Sequence, residues 1–377
     1  MNEHNYSEIL GHLARQEVRH LPPYNAGLSS AVVRERYGVE QVARLGSNEN
    51  PFGSSQAVGQ ALSTMSASVG LYPDPNCRAL RSSIAQRVGA HADEIVIGNG
   101  SENLLEILCQ AFLNKRDMVV TVRPAFGLHE IYPQMMGASV EAIPVTSALE
   151  FDVDAMCAAV SGSHKPKLVM FSNPSNPVGC MLDTKAFNRI VQATPINSLI
   201  VIDEAYYEYA VLNPDFPDTL SIMRAQERPW IVLRTFSKAW GLAGLRVGYG
   251  ITCDKRLVQL LDRVRTPFNV NMAAQIAALS AWNEPDFMES CVRSAVAWRD
   301  ELAIKLRNLN LMVGPSAANF LFVNVNQSNT CVAEELLKRG VIVKPWKEAG
   351  YEQFIRVSIG SIRDNLQFLS AIKEILK

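Results

Sequence analysis

Between residues 94 and 251 the chain alternates short apolar runs with stretches in which apolar residues recur every three or four positions. The runs are EIVIG (94–98), DMVVTV (117–122), SVEAIPV (139–145), KLVMFS (167–172), SLIVIDE (198–204), WIVLRT (230–235) and RVGYGI (246–251). Several are apolar throughout, the pattern of strands whose two faces are both covered by helices. SENLLEILCQAF (101–112) and TKAFNRIVQAT (184–194) carry the helical period between them. This alternation predicts an α/β fold with a large, mostly parallel sheet and crossover helices.

After about residue 283 the pattern changes. A long helical segment (287–309) leads to apolar runs NFLFVNV (319–325), GVIVKP (340–345) and FIRVSIG (354–360), then a closing helix. This predicts a smaller α+β domain over 283–377 beside a large domain over 43–282. Residues 1–42 are too few for a core of their own and are expected to join the small domain or cross a partner as an arm.

Composition narrows the function. The chain has 377 residues, 48% hydrophobic and 19% charged, as in ordinary globular proteins. Net charge is −1 and the 36 basic residues are scattered, which argues against a nucleic-acid partner. The first residues carry acids and histidines rather than an apolar signal core, and no stretch reaches the ~20 apolar residues of a membrane span. The seven cysteines lie far apart without a CxxC pair, pointing to reduced thiols in a cytoplasm. The histidines show no metal-ligand spacing, so no metal is expected.

In open parallel sheets, ligands gather outside the carboxyl ends of the strands. Four sets of reactive residues fall there. GNGSENLL follows the first run, and Ser101 opens a helix whose N-terminal amides suit a phosphate; a plain glycine-rich turn has the same look. Asp203 closes SLIVIDE, either as a carboxylate awaiting a cation or as a cap, with Tyr206 close behind. Lys238 follows WIVLRT, flanked by Thr235, Ser237 and Arg246, a second place to hold an anion. NPSNPVG (173–179) is a rigid turn that presents Asn176. Each set has a plain structural reading on its own. Together they describe one ligand, pyridoxal 5′-phosphate, which asks for a phosphate cradle, a carboxylate for its ring nitrogen and a Schiff-base lysine.

The motifs LPPY (21–24), SNENPFG (47–53), LYPDP (71–75), NPSNPVG, VIDEAYYEY (201–209), RTFSKAWGLAGLRVGY (234–249) and FIRVSIG run nearly the length of the chain. In this order they resemble the fold-type I pyridoxal-phosphate-dependent aminotransferases, and within these the histidinol-phosphate aminotransferase family. The resemblance implies that Lys238 binds the cofactor aldehyde and then moves a proton between the substrate Cα and the cofactor. It implies that Asp203 holds the ring nitrogen protonated and that Tyr206 and Asn176 hydrogen-bond the ring oxygen. Ser101, Glu102, Thr235, Ser237 and Arg246 would hold the phosphate, and Phe126 would stack on the ring. Tyr72 would reach the phosphate of a neighbouring subunit, which makes the expected enzyme a homodimer.

For substrate, the resemblance places Arg356 on an anion, with Lys344 and Tyr24 beside it. Lys344 stands where relatives often carry arginine, and it binds phosphate as a point charge without the bidentate fork. The expected reaction moves an amino group from a small-molecule donor to a 2-oxo acid acceptor, with histidinol phosphate and 2-oxoglutarate as the pair. An aromatic amino-acid aminotransferase is the alternative, and a phospho-amino-acid decarboxylase a third reading. A cofactor-binding transcriptional regulator is disfavoured, since the large domain begins near residue 43 with no basic recognition helix before it. His129 receives no role.

Overall fold

The computed structural model describes residues 9–22 and 27–376. After a two-residue strand, β1 (Ala43–Arg44), the chain builds one large sheet. Its strands are β2 (Ile95–Gly98), β3 (Met118–Arg123), β4 (Ser139–Pro144), β5 (Leu168–Ser172), β6 (Leu199–Asp203), β7 (Trp230–Thr235) and β8 (Gly248–Thr252). They lie in the order β2-β8-β7-β6-β5-β3-β4. β3 is parallel to β4 and β5, and β5, β6 and β7 run parallel to one another. Only β8 runs antiparallel to its neighbours, β2 and β7. Its segment follows β7 through a short 3₁₀ turn at Ala243–Leu245 rather than a crossover helix, and a short link returns the chain in the opposite direction.

The central strands are buried along their whole length, as their unbroken apolar sequences require. β6 shows how both faces are used. Ile200 and Ile202 join a core with Phe171 and Phe187, whereas Leu199 and Val201 join one with Leu104 and Leu168. The helices supply matching stripes. In Thr184–Ala193 the buried residues are Phe187, Ile190 and Val191, and Asp183 caps the helix by accepting from the Ala186 N–H at 2.7 Å. In Ser101–Phe112, Leu104, Leu105 and Leu108 are buried, and Gly100 precedes the helix at φ 83°.

A second sheet is antiparallel. It combines β9 (Met312–Val313), β10 (Phe320–Asn324), β12 (Lys344–Pro345) and β13 (Phe354–Ser358) in the order β12-β13-β10-β9. The run GVIVKP is divided: β11 (Val341–Ile342) pairs in parallel with β1, and β12 pairs with β13. That split draws residues 43–44 to the C-terminal part of the chain. The long helix Pro285–Arg307 bridges the cores, with Met288, Val292 and Ala295 in one and Leu302 and Leu306 in another. Among the described residues no helix is long and apolar enough to cross a membrane.

Candidate active site

The carboxyl ends of β3, β5, β6 and β7 and the N-terminus of helix Ser101–Phe112 open on one cavity of about 530 Å³. Its wall includes Ser101, Glu102, Phe126, Asn176, Asp203, Tyr206, Thr235, Ser237, Lys238 and Arg246. Lys344 and Arg356 enter it from the second sheet. Twelve of the fourteen residues singled out from the sequence therefore meet in one place. Tyr24 lies outside the described residues, and Tyr72 lies outside this cavity.

At one end of the cavity the backbone comes close to the helix N-terminus. A Cβ on Gly248 would sit 2.3 Å from the Ser101 amide nitrogen, and one on Gly100 would sit 2.6 Å from Arg246 Nη2. Only glycine permits both approaches. Arg246 itself takes φ 59°, which turns its side chain back over the strand ends. Its Nη1 donates to Ser237 Oγ at 3.3 Å, and its Nη2 pairs with Glu102 at 3.3 Å. Thr235 Oγ1 accepts from the Ser237 N–H at 3.1 Å. Helix amides, two hydroxyls and a guanidinium thus converge, a donor set for an anion of several oxygens.

At the middle stands Asp203, buried at the end of β6. Its Oδ1 accepts from the Ala205 N–H at 3.1 Å. His129 Nε2 lies 3.4 Å from Oδ2 and meets no hydrogen-bond geometry. His129 is fully enclosed and touches Phe126 edge to face, with ring centres 6.0 Å apart.

Tyr206 Oη accepts from Asn176 Nδ2 at 3.3 Å and from Asn48 Nδ2 at 2.8 Å. Asn176 Oδ1 in turn accepts from Arg356 Nη1 at 2.7 Å. Asn48 is locked to β13, since Ser358 Oγ donates to its Oδ1 and accepts from its N–H, each at 2.8 Å. A continuous polar chain therefore joins Arg356 to Tyr206 and closes back on Ser358.

Lys238 is half-buried and points its amine across the cavity, where Nζ donates to the Ser47 carbonyl at 2.9 Å. Burial pushes its pKa down to about 7, helped by Arg356 and Arg246 and opposed by Glu49 and Asp203. Near neutrality much of this amine is uncharged and nucleophilic.

Arg356 and Lys344 are direct cross-strand partners on β13 and β12. Burial pushes the Lys344 amine down to about 8, with Arg356 and Lys347 adding to the effect. Like charges directly opposite each other are unfavourable, so this wall is prepared for an anion.

Four residues at the site were not assigned roles in the sequence. Asn48 had a signal, the polar stretch SNEN between the arm and the first helix. Ser358 lies two positions from Arg356, on the same face of a strand. His129 and Glu348 gave none, because a loop histidine and a loop acid look like solvated groups.

Residues 40–372 match the model of the aminotransferase class I and II family. Histidinol-phosphate aminotransferase 1 of Mesorhizobium japonicum is 46% identical over 97% of this chain and 98% of its own. Histidinol-phosphate aminotransferase 3 of Rhizobium meliloti is 44% identical over 96% and 97%. Among solved structures, the histidinol-phosphate aminotransferase of Sinorhizobium meliloti in complex with pyridoxal 5′-phosphate superposes with a TM-score of 0.87. It is 25% identical and covers 96% of this chain and 97% of its own. The chain belongs to the class I and II aminotransferases, in the histidinol-phosphate aminotransferase family.

Proposed function

We propose that the protein transfers an amino group between histidinol phosphate and 2-oxoglutarate, using pyridoxal 5′-phosphate held in this cavity, as a cytoplasmic homodimer. The residues present fit that cofactor. The approach of β8 to the Ser101 amide leaves a cradle that a single Cβ would fill, and Ser237, Thr235 and Arg246 surround it. Bound there, the cofactor supplies an aldehyde to receive the amino group and a ring that withdraws electrons from the substrate Cα–H bond.

The side chains divide the work. Lys238 attacks as a free amine and later carries the proton taken from Cα, tasks that its lowered pKa suits near pH 7. Asp203, on the floor of the cavity, would pair with the ring nitrogen and favour its protonated form. Tyr206 and Asn176 would hydrogen-bond the ring oxygen, and Phe126 would stack on the ring. Glu102 steadies Arg246, which grips the phosphate with Ser101, Thr235 and Ser237.

Substrate choice rests on one observation, the paired cations Lys344 and Arg356 opposite each other on one wall. With Lys347 behind them, they suit a phosphate dianion better than a single carboxylate. Tyr24 is assigned to the same anion. The dimer reading is supported by Tyr72, which is 80% exposed and stacks on Phe268 with ring centres 4.5 Å apart, beside exposed Leu71 and Val69. The family resemblance assigns Tyr72 to the phosphate of a neighbouring subunit, and its exposure leaves it available for that contact.

A single-turnover screen tests the substrate. The cofactor-loaded protein is mixed separately with histidinol phosphate, phenylalanine, tyrosine and glutamate, and conversion to the pyridoxamine form is followed by absorbance. Histidinol phosphate and glutamate are expected to convert the protein fastest. Faster conversion by phenylalanine than by histidinol phosphate overturns the assignment in favour of an aromatic aminotransferase.

A further inference from the structure

Lys238 stands in a loop, residues 236–242, that closes on its own backbone. The Leu242 N–H donates to the Phe236 carbonyl at 2.9 Å, and the Gly241 N–H donates to the Lys238 carbonyl at 3.0 Å. Two distant side chains fasten this loop. Asn50 Nδ2 donates to the Ala239 carbonyl at 2.8 Å. The other is Glu208, whose Oε1 accepts from the indole N–H of Trp240 at 2.9 Å. Glu208 lies on the short helix Tyr207–Ala210, directly after Tyr206. The Tyr206 carbonyl accepts from the Tyr209 and Ala210 N–H groups, each at 3.1 Å, so that helix starts from the backbone of a cavity residue. Across the cavity, Lys238 Nζ stands 5.9 Å from the centre of the Tyr206 ring.

Glu208 is buried and does not reach the cavity wall. Burying a carboxyl group is costly, and an apolar side chain would fill the same space more cheaply. Burial pushes its pKa up to about 7, while hydrogen bonding, including that from Trp240, and the nearby Arg234 act the other way. Protonated or not, it keeps an oxygen that can accept from the indole. Trp240 also packs against Phe236 and Trp282, with ring centres 5.6 and 5.0 Å apart. Such contacts hold a ring in place but leave its edge free to turn, whereas a hydrogen bond is directional.

We infer that Glu208 is a positioning residue for Lys238: by accepting from Trp240 it fixes the loop 236–242 against the segment that carries Tyr206, and so sets where the amine stands in the cavity. This rests on the reading of Lys238 as the residue that binds the cofactor. Glu208 touches neither cofactor nor substrate in that arrangement, and no proton passes through it.

The test uses Trp240→Phe, Glu208→Leu and Glu208→Gln. Trp240→Phe keeps an aromatic ring against Phe236 and Trp282 but removes the donor. Glu208→Leu removes the acceptor, and Glu208→Gln retains one. Conversion to the pyridoxamine form is measured per bound cofactor, against the concentration of whichever amino donor converts the wild type fastest. Cofactor capture by the apo-protein is followed against pH. Trp240→Phe and Glu208→Leu are expected to lower the maximal rate about tenfold, with the half-saturating donor concentration within about twofold of wild type. In both, the midpoint of capture should rise by about one pH unit as the amine becomes better hydrated. Glu208→Gln should stay within about threefold of the wild-type rate and keep its midpoint.

A merely structural role would lower the unfolding temperature of these variants but leave the rate per bound cofactor and the capture midpoint at wild-type values. That result overturns the inference, as does a Glu208→Gln variant as slow as Glu208→Leu. Should Glu208→Leu fail to fold, Trp240→Phe against Glu208→Gln decides. Lys238→Ala is the control for the underlying reading. If it still forms the visible band, the assignment of Lys238 falls and takes the inference with it, an outcome separate from failure of the Glu208 variants alone.

Discussion

Lys238 carries an amine whose pKa lies at about 7, so its reactivity should change with pH in a range where ordinary lysines stay protonated. Below that value the amine is protonated and cannot attack an aldehyde. The rate at which apo-protein captures the cofactor, read as growth of the visible band, should therefore rise about tenfold per pH unit up to about 7 and then level off. A rise continuing to pH 10 would mean that the amine behaves as a solvated lysine. The motif RTFSKAWGLAGLR gave Lys238 away, since a charge among small and apolar residues at a strand end needs a reason. His129 was hidden, because its importance comes only from a tertiary neighbour. It stands 3.4 Å from Asp203 and is fully enclosed, so it packs against the carboxylate that would face the ring nitrogen. His129→Phe should keep cofactor bound but reduce single-turnover rates by about tenfold, whereas Asp203→Asn should reduce them on the order of a hundredfold or more. Equal rates in His129→Phe and wild type would leave the histidine a packing role only.

At the scale of elements, the strands of the large sheet could be read in advance because each central one is apolar on both faces. Their direction was less legible. β8 reverses because the link from β7 is short, and nothing in RVGYGI itself states which way it runs. The division of GVIVKP into β11 and β12 was also out of reach, since it depends on β1 arriving from the other end of the chain. The contact between β8 and the helix Ser101–Phe112 makes one element depend on another. A methyl at Gly248 would collide with the Ser101 amide, so the helix must retreat or the strand must bend. Gly248→Ala should cost about 1–3 kcal/mol in thermal or denaturant unfolding, and should weaken cofactor binding by more than that loss alone explains. A variant with wild-type cofactor affinity would show that the close approach serves packing and not the phosphate.

At the scale of the whole molecule, no sequence pattern could show how two cores share one long helix. Pro285–Arg307 reads as a single amphipathic segment, yet its first half packs with the large sheet and its last turns with the small one. The assembly is legible only in part. Tyr72 stands out in LYPDP, but its ring lies on the surface beside Phe268, outside the cavity of its own chain. If it serves a neighbour, two defective chains should repair each other. Mixing Lys238→Ala with Tyr72→Ala and allowing subunits to exchange should restore up to one intact site in each hybrid dimer. Activity of the mixture is then expected to exceed the sum of the two separate variants. A strictly additive mixture, or a monomer by light scattering, would refute a shared site.

The polar chain from Arg356 through Asn176 to Tyr206, fastened by Asn48 to Ser358, has a thermodynamic meaning of its own. On the proposed function its two ends would meet different ligands, an anion of the substrate at the guanidinium and the oxygen of the cofactor ring at the phenol. Linkage requires that any influence one occupant exerts on the other be returned in equal measure. An anion that tightens when the cofactor is present must therefore tighten the cofactor by the same factor. The spectral titration of the cofactor would then serve as a remote gauge of the anion, read from the far end of three side chains.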